Sequence, residues 1–125
     1  MARILLLEEE PNIAAIVLFK LRREGHEVVA EDELTREKCL QAAAAVSPDL
    51  VLADLDGGHE AVAAALAPDW RVLALVDGTD PESEARARAA GAAQVVAKPF
   101  KPTVLARIVA GMTGAPAAAP EQAPV

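Results

Sequence analysis

The ionisable side chains of interest stand where apolar runs end. Glu8 and Glu9 follow Ile4-Leu5-Leu6-Leu7, and Asp54 and Asp56 close the run Leu50-Val51-Leu52-Ala53. Asp77 follows Val72 to Val76, and Lys98 follows Gln94 to Ala97, directly before Pro99. If the first and third runs are neighbouring parallel strands, Glu8, Glu9, Asp54 and Asp56 converge on one pocket at the carboxyl ends. Gathered carboxylates repel one another unless a cation lies among them. Hard oxygen ligands with room for water and phosphate suit magnesium. A lysine reaching in from another strand end can hold a phosphoryl oxygen as a point charge. Glu10 and Asp77 are read as solvated loop carboxylates.

The elements that must position these groups follow from the apolar pattern. Short apolar runs mark strands: Ile4–Leu7, continuous as expected of a strand buried on both faces, then a second within Glu27–Glu31, Leu50–Ala53, Val72–Val76 and a shorter fifth, Gln94–Ala97. Helices are expected between them. The first runs from Asn12 to Glu24, with Ile13, Ile16, Val17 and Leu21 on one face and Gly25 as its stop. The second is capped by Thr35 and closed by Ser47-Pro48. A short third spans His59 to Leu66, a fourth has Pro81 in its first turn and ends at Gly91, and a fifth spans Pro102 to Met112. Strict strand–helix alternation predicts an α/β, doubly wound five-stranded parallel sheet with helices on both faces. Residues 1–112 form this domain, and 113–125, rich in Pro and Ala, read as a flexible tail or linker.

Composition bounds the rest. The chain has 125 residues, one domain's worth, with 53% apolar and only 2% aromatic residues, so Leu, Val and Ile must build the core. Twelve Lys and Arg against nineteen Asp and Glu leave a net charge of −7, a poor match to nucleic acid or an anionic membrane. The single Cys39 excludes an intramolecular disulfide and a multi-cysteine metal site. No apolar run approaches the roughly 20 residues of a membrane span. A cytoplasmic protein is expected.

The segments Arg3–Asn12, Pro48–Leu55, and Ala90-Gly91-Ala92 through Lys98-Pro99-Phe100 together resemble a response-regulator receiver domain, over about Arg3 to Met112. The resemblance implies strand order 2-1-3-4-5. It implies a phosphorelay signalling role, not an enzyme, with a sensor histidine kinase or phosphotransfer protein as partner. Asp54 would be the phosphoacceptor and Lys98 the phosphoryl contact. Glu9, Asp54 and the backbone carbonyl of Asp56 would bind magnesium, with Glu8 supporting its water shell. A homodimer through the last two helices, using Arg86, Arg88 and Arg107, is a further expectation of that resemblance.

The chain also departs from the pattern. Glu stands at both positions of the acidic pair, where the second is usually Asp. Val76 replaces the Thr or Ser at the end of strand four, and Val95 replaces the switch aromatic on strand five. The loop after Asp54 is shorter, crosses through Gly57-Gly58, and brings His59 close to the site. Signalling toward the fourth helix should therefore be weak. Two other readings are a phosphorylation-independent interaction module and, remotely, an Asp-nucleophile phosphatase, from the similarity of Asp54-Leu55-Asp56-Gly57 to a phosphatase motif. His59 and His26 are expected in solvent, Cys39 acts as a small apolar residue, and Trp70 should cover the end of the third helix.

Overall fold

Burial along each strand sets the architecture. The computed structural model describes residues 2–114. Its elements are β1 (Arg3–Leu7), α1 (Pro11–Arg23), β2 (Glu27–Glu31), α2 (Arg36–Val46), β3 (Leu50–Asp54), α3 (Glu60–Leu66), β4 (Val72–Asp77), α4 (Ser83–Ala89), β5 (Gln94–Lys98) and α5 (Pro102–Thr113). The strands form one parallel sheet in the order β2-β1-β3-β4-β5, as expected.

Side chains alternate across the strands, so the central runs of β1, β3 and β4 feed two cores, whereas the edge strand β2 buries only Val28 and leaves Val29 46% exposed. Ile4, Leu6, Leu50, Leu52, Leu73, Leu75 and Val96 pack with Val17 and Leu21 of α1 and with Leu105 and Val109 of α5. Leu5, Leu7, Val51, Ala53, Val72 and Ala74 face the other way, against Cys39 and Ala43 of α2, Val62 and Leu66 of α3, and Ala87 of α4. Double-sided burial explains why these strands are continuously apolar rather than alternating. Trp70 packs at the edge of the second core, and its backbone N–H closes the chain onto Leu66.

Local signals set the element ends. Thr35 caps α2, accepting the Lys38 N–H at 3.1 Å. Glu10, expected to be solvated, instead caps α1 by accepting the Asn12 N–H at 3.0 Å, so that helix starts at Pro11. Pro81 precedes α4 rather than lying in its first turn, because Glu82 is the cap. α3 starts at Glu60, with His59 at its cap. Helix α5 runs one residue past Met112 and stops at the left-handed Gly114. The remainder of the expected tail, 115–125, lies outside the described residues.

Two expectations about exposure are corrected. Ile16, placed by spacing on the buried stripe of α1, is 53% exposed, because the face that meets the sheet is centred on Val17 and Leu21 with Ile13, Ala14 and Leu18 beside them. His26 is buried rather than solvated: it leads into β2 and its Nδ1 accepts the Ala2 N–H at 3.2 Å. Among the described residues no helix is long and apolar enough to cross a membrane.

Candidate functional site

Strand parity decides which carboxylates meet. Leu6 of β1 is in register with Leu52 of β3. Two residues on, Glu8 and Asp54 therefore leave the same face of the sheet at its carboxyl end. The β1–β2 ladder continues to Glu8, whose N–H donates to the Glu31 carbonyl. Lys98 follows Val96 on β5 with the same parity, which brings it to the same face. Glu9 has the opposite parity and turns to the side of α3.

Asp54 is 6% exposed at the end of the central strand. Its Oδ2 accepts from Lys98 Nζ at 2.8 Å, and its Oδ1 accepts the Asp56 N–H at 2.9 Å. Lys98 Nζ also lies 2.6 Å from Asp56 Oδ2. Burial pushes the Lys98 ammonium down, but its hydrogen bonds to Asp54 and Asp56 outweigh this and leave its pKa above the ordinary lysine value. The lysine thus bridges two carboxylates. Gly78 helps fix its strand: the Gly78 N–H donates to the Lys98 carbonyl at 3.1 Å, and a Cβ at Gly78 would stand 2.4 Å from that oxygen.

Glu8 is 1% exposed. Its Oε2 accepts the Glu10 N–H at 3.0 Å, whereas Oε1 is buried without a partner. Burial, followed by a hydrogen bond to Asp54 and the charge of Asp54, raises its pKa to about 7, against the opposing Glu10 N–H. Two ionised carboxylates offer each other no proton. A proton on Glu8 relieves the repulsion from Asp54, and Oε1 stays an orphan that a cation could meet.

Glu9 is exposed and committed elsewhere: its Oε1 lies 2.8 Å from His59 Nε2. Gly57 and Gly58 have φ of +83° and +88°, a region L side chains rarely adopt, and they turn the chain so that the imidazole folds back to Glu9. His59, expected in solvent, is therefore an ion-pair or hydrogen-bond partner. Asp56 uses its second oxygen too, as Oδ1 accepts the Asp77 N–H at 2.8 Å. Asp77, expected in a loop, is the last residue of β4; its exposed carboxylate accepts through one oxygen from both the N–H and the hydroxyl of Thr79. These bonds hold its pKa below the usual range.

The site therefore joins Glu8, Asp54, Asp56 and Lys98, and holds Glu9 aside. The orphaned Glu8 oxygen and the hard-oxygen donor set fit magnesium in kind. In placement, however, no three His, Cys, Asp or Glu groups among the described residues gather round one point in a way that could hold a metal. Glu9 would have to leave His59 to join them. Val76 is buried and offers no hydroxyl, and Val95 is half-buried with no polar tip. Arg86 pairs with Asp80 and Glu60, and Arg88 with Glu84, so a dimer through α4 and α5 must compete with pairs inside the chain.

No protein-family model and no curated protein matches the chain by sequence. Solved structures do. The chain is similar to NtrX from Brucella abortus in complex with ADP, with a TM-score of 0.81 at 25% identity, covering 90% of this chain and 26% of that one. It thus spans about a quarter of the length of NtrX. It is similar to a response regulator receiver protein from Burkholderia phymatum, with a TM-score of 0.79 at 22% identity, covering 94% of this chain and 98% of that one. It is also similar to the signal receiver domain of a modulated diguanylate cyclase from Desulfovibrio desulfuricans, with a TM-score of 0.77 at 22% identity, covering 91% and 94% of the two chains. The chain has the fold of a response-regulator receiver domain.

Proposed function

We propose that this chain is a cytoplasmic phosphorelay receiver whose acceptor is Asp54. The observation that carries the reading is Lys98 Nζ at 2.8 Å from Asp54 Oδ2, at the carboxyl end of the central strand. A buried carboxylate with a lysine on one oxygen is suited to nucleophilic attack on phosphorus, because the lysine can move to the incoming phosphoryl oxygens. In this reading an Asp54 oxygen attacks the phosphorus of a phosphohistidine on a histidine kinase or phosphotransfer protein. The new O–P bond forms as the P–N bond breaks, and the electron pair leaves with the imidazole, which takes up a proton. Glu9, once released from His59, would hold magnesium together with Asp54 and the Asp56 carbonyl, and Glu8 would support its water shell. The ion, when bound, neutralises charge on the phosphoryl group. The protein is modified once and does not turn over substrate.

A second reading, a phosphorylation-independent interaction module, is favoured by one observation: Glu9 is held by His59. Incubation with magnesium and acetyl phosphate, read by intact mass, separates the two. The receiver reading expects one added phosphoryl group in the wild type and none in Asp54→Asn. An unmodified wild type selects the interaction module.

A further inference from the structure

The pair of residues that normally relays the state of such an acceptor is replaced by Val76 and Val95, yet an unbroken polar chain leads from the site to α4. Lys98 Nζ bridges Asp54 and Asp56. The other Asp56 oxygen accepts the Asp77 N–H at 2.8 Å. The Asp77 carbonyl accepts the Ser83 hydroxyl at 2.9 Å, and the same hydroxyl lies 2.9 Å from the Asp80 carbonyl. Ser83 is the first residue of α4 and is buried. The Asp80 carboxylate in turn holds Arg86 of the same helix. A cavity of about 260 Å³, lined by Asp56, Gly57, Gly58, Asp77 and Ser83 among others, adjoins this chain and leaves room for the β4–α4 turn to move.

We infer that the Asp56 carboxylate is the switch of this domain, releasing the Asp77 amide and the start of α4 when Lys98 is drawn away, a role that rests on phosphoryl acceptance at Asp54 as proposed above. The physical reason is charge. A phosphoryl group on Asp54 adds up to two negative charges beside Asp56 and competes for the one lysine that neutralises it. Asp56 then faces a like charge without its counterion, and rotation into the adjoining cavity relieves the repulsion at the cost of its bond to Asp77. The two states differ in contacts at named atoms, which a population shift requires. Reading Val76 and Val95 alone predicted weak signalling toward this helix. The route through Asp56 runs along the loops and bypasses both positions.

Hydrogen exchange at the Asp77 amide is the direct readout. Lys98→Met withdraws the lysine without any phosphorylation and should speed exchange at Asp77 about five- to tenfold, with a smaller rise through Ser83. Adding Asp56→Asn should abolish that response, since the neutral amide oxygen keeps the Asp77 N–H and has no charge to lose. In wild type treated with acetyl phosphate, the fraction phosphorylated is read by mass in the same sample, and the modified molecules should show the Lys98→Met pattern. Ser83→Ala should leave the extent of phosphorylation unchanged and confine the response to Asp77. Unchanged exchange at Asp77 in Lys98→Met, or in phosphorylated wild type, overturns the inference. Absent phosphorylation instead contradicts the proposed function, while the Lys98→Met arm still decides the switch.

Discussion

His59 Nε2 lies 2.8 Å from Glu9 Oε1, fifty residues earlier in the chain. The contact sets the acidic pair to two different tasks: Glu8 is buried against Asp54, and Glu9 is tied to the start of α3. Any cation that recruits Glu9 must first break this pair. Partly exposed pairs of this kind contribute roughly 0.5–1 kcal/mol. His59→Ala should therefore tighten magnesium binding by about two- to fivefold, measured by calorimetric titration. Unchanged or weaker binding would show that Glu9 takes no part in holding the ion.

Glu8 gives a stability prediction with a defined pH window. Its pKa in the fold, about 7, exceeds the ordinary 4.5 because burial and Asp54 disfavour the charge. The folded state thus binds the proton more tightly than the unfolded state between these values. Wild-type stability should rise as pH falls from 7 toward 4.5, and the cost of the buried charge is fully present above 7. Glu8→Gln should stabilise the metal-free protein by on the order of 1–2 kcal/mol at pH 8, with the gain shrinking toward zero near pH 4.5. Denaturant melts in chelator at both pH values check this. A variant less stable than wild type at pH 8 would mean that Glu8 is not buried as a charge.

His26 works in the opposite sense. Burial lowers its pKa below 6.5, and its Nδ1 must stay unprotonated to accept the Ala2 N–H. The unfolded state then binds the proton more tightly, so the stabilisation is complete above 6.5 and declines as pH falls through that value. His26→Gln should flatten the wild-type decline between pH 6.5 and 5 in thermal melts. Because Glu8 pushes the other way over part of this range, the comparison is best made in a Glu8→Gln background. A slope unaffected by His26→Gln would rule out its titration as the cause.

Much of this arrangement was legible in the sequence for identifiable reasons. Runs such as Leu50–Ala53, too short for helices and apolar throughout, announce double-sided burial. Their alternation with helical spacing leaves few topologies. Asp54 and Lys98 were found because each closes such a run. The separation of Glu8 from Glu9 was also available, since neighbours on an extended chain point to opposite faces, but an acidic pair invites being read as one unit. That His59 comes close to the site is legible in the short Gly57-Gly58 loop, but its pairing with Glu9 is not, because it depends on two consecutive left-handed glycines whose φ is not written in the residue type. His26 and the Asp56–Asp77 bond depend on contacts 24 and 21 residues apart in the chain, which local spacing does not reveal. Ile16 shows the limit of helical periodicity: a stripe of apolar residues can be wider than the surface available to bury it.

The central claim is that the carboxylate of Asp54 forms an acyl phosphate. Such a group is reduced by borohydride to an alcohol, which converts the acceptor aspartate to homoserine. After treatment with acetyl phosphate and magnesium, borohydride reduction and peptide mass spectrometry should find homoserine at position 54 and at no other carboxylate. Lys98→Met should lower its yield. Homoserine at Asp56, the five-carbon alcohol 2-amino-5-hydroxypentanoic acid at Glu8 or Glu9, or either product in Asp54→Asn, would contradict the assignment.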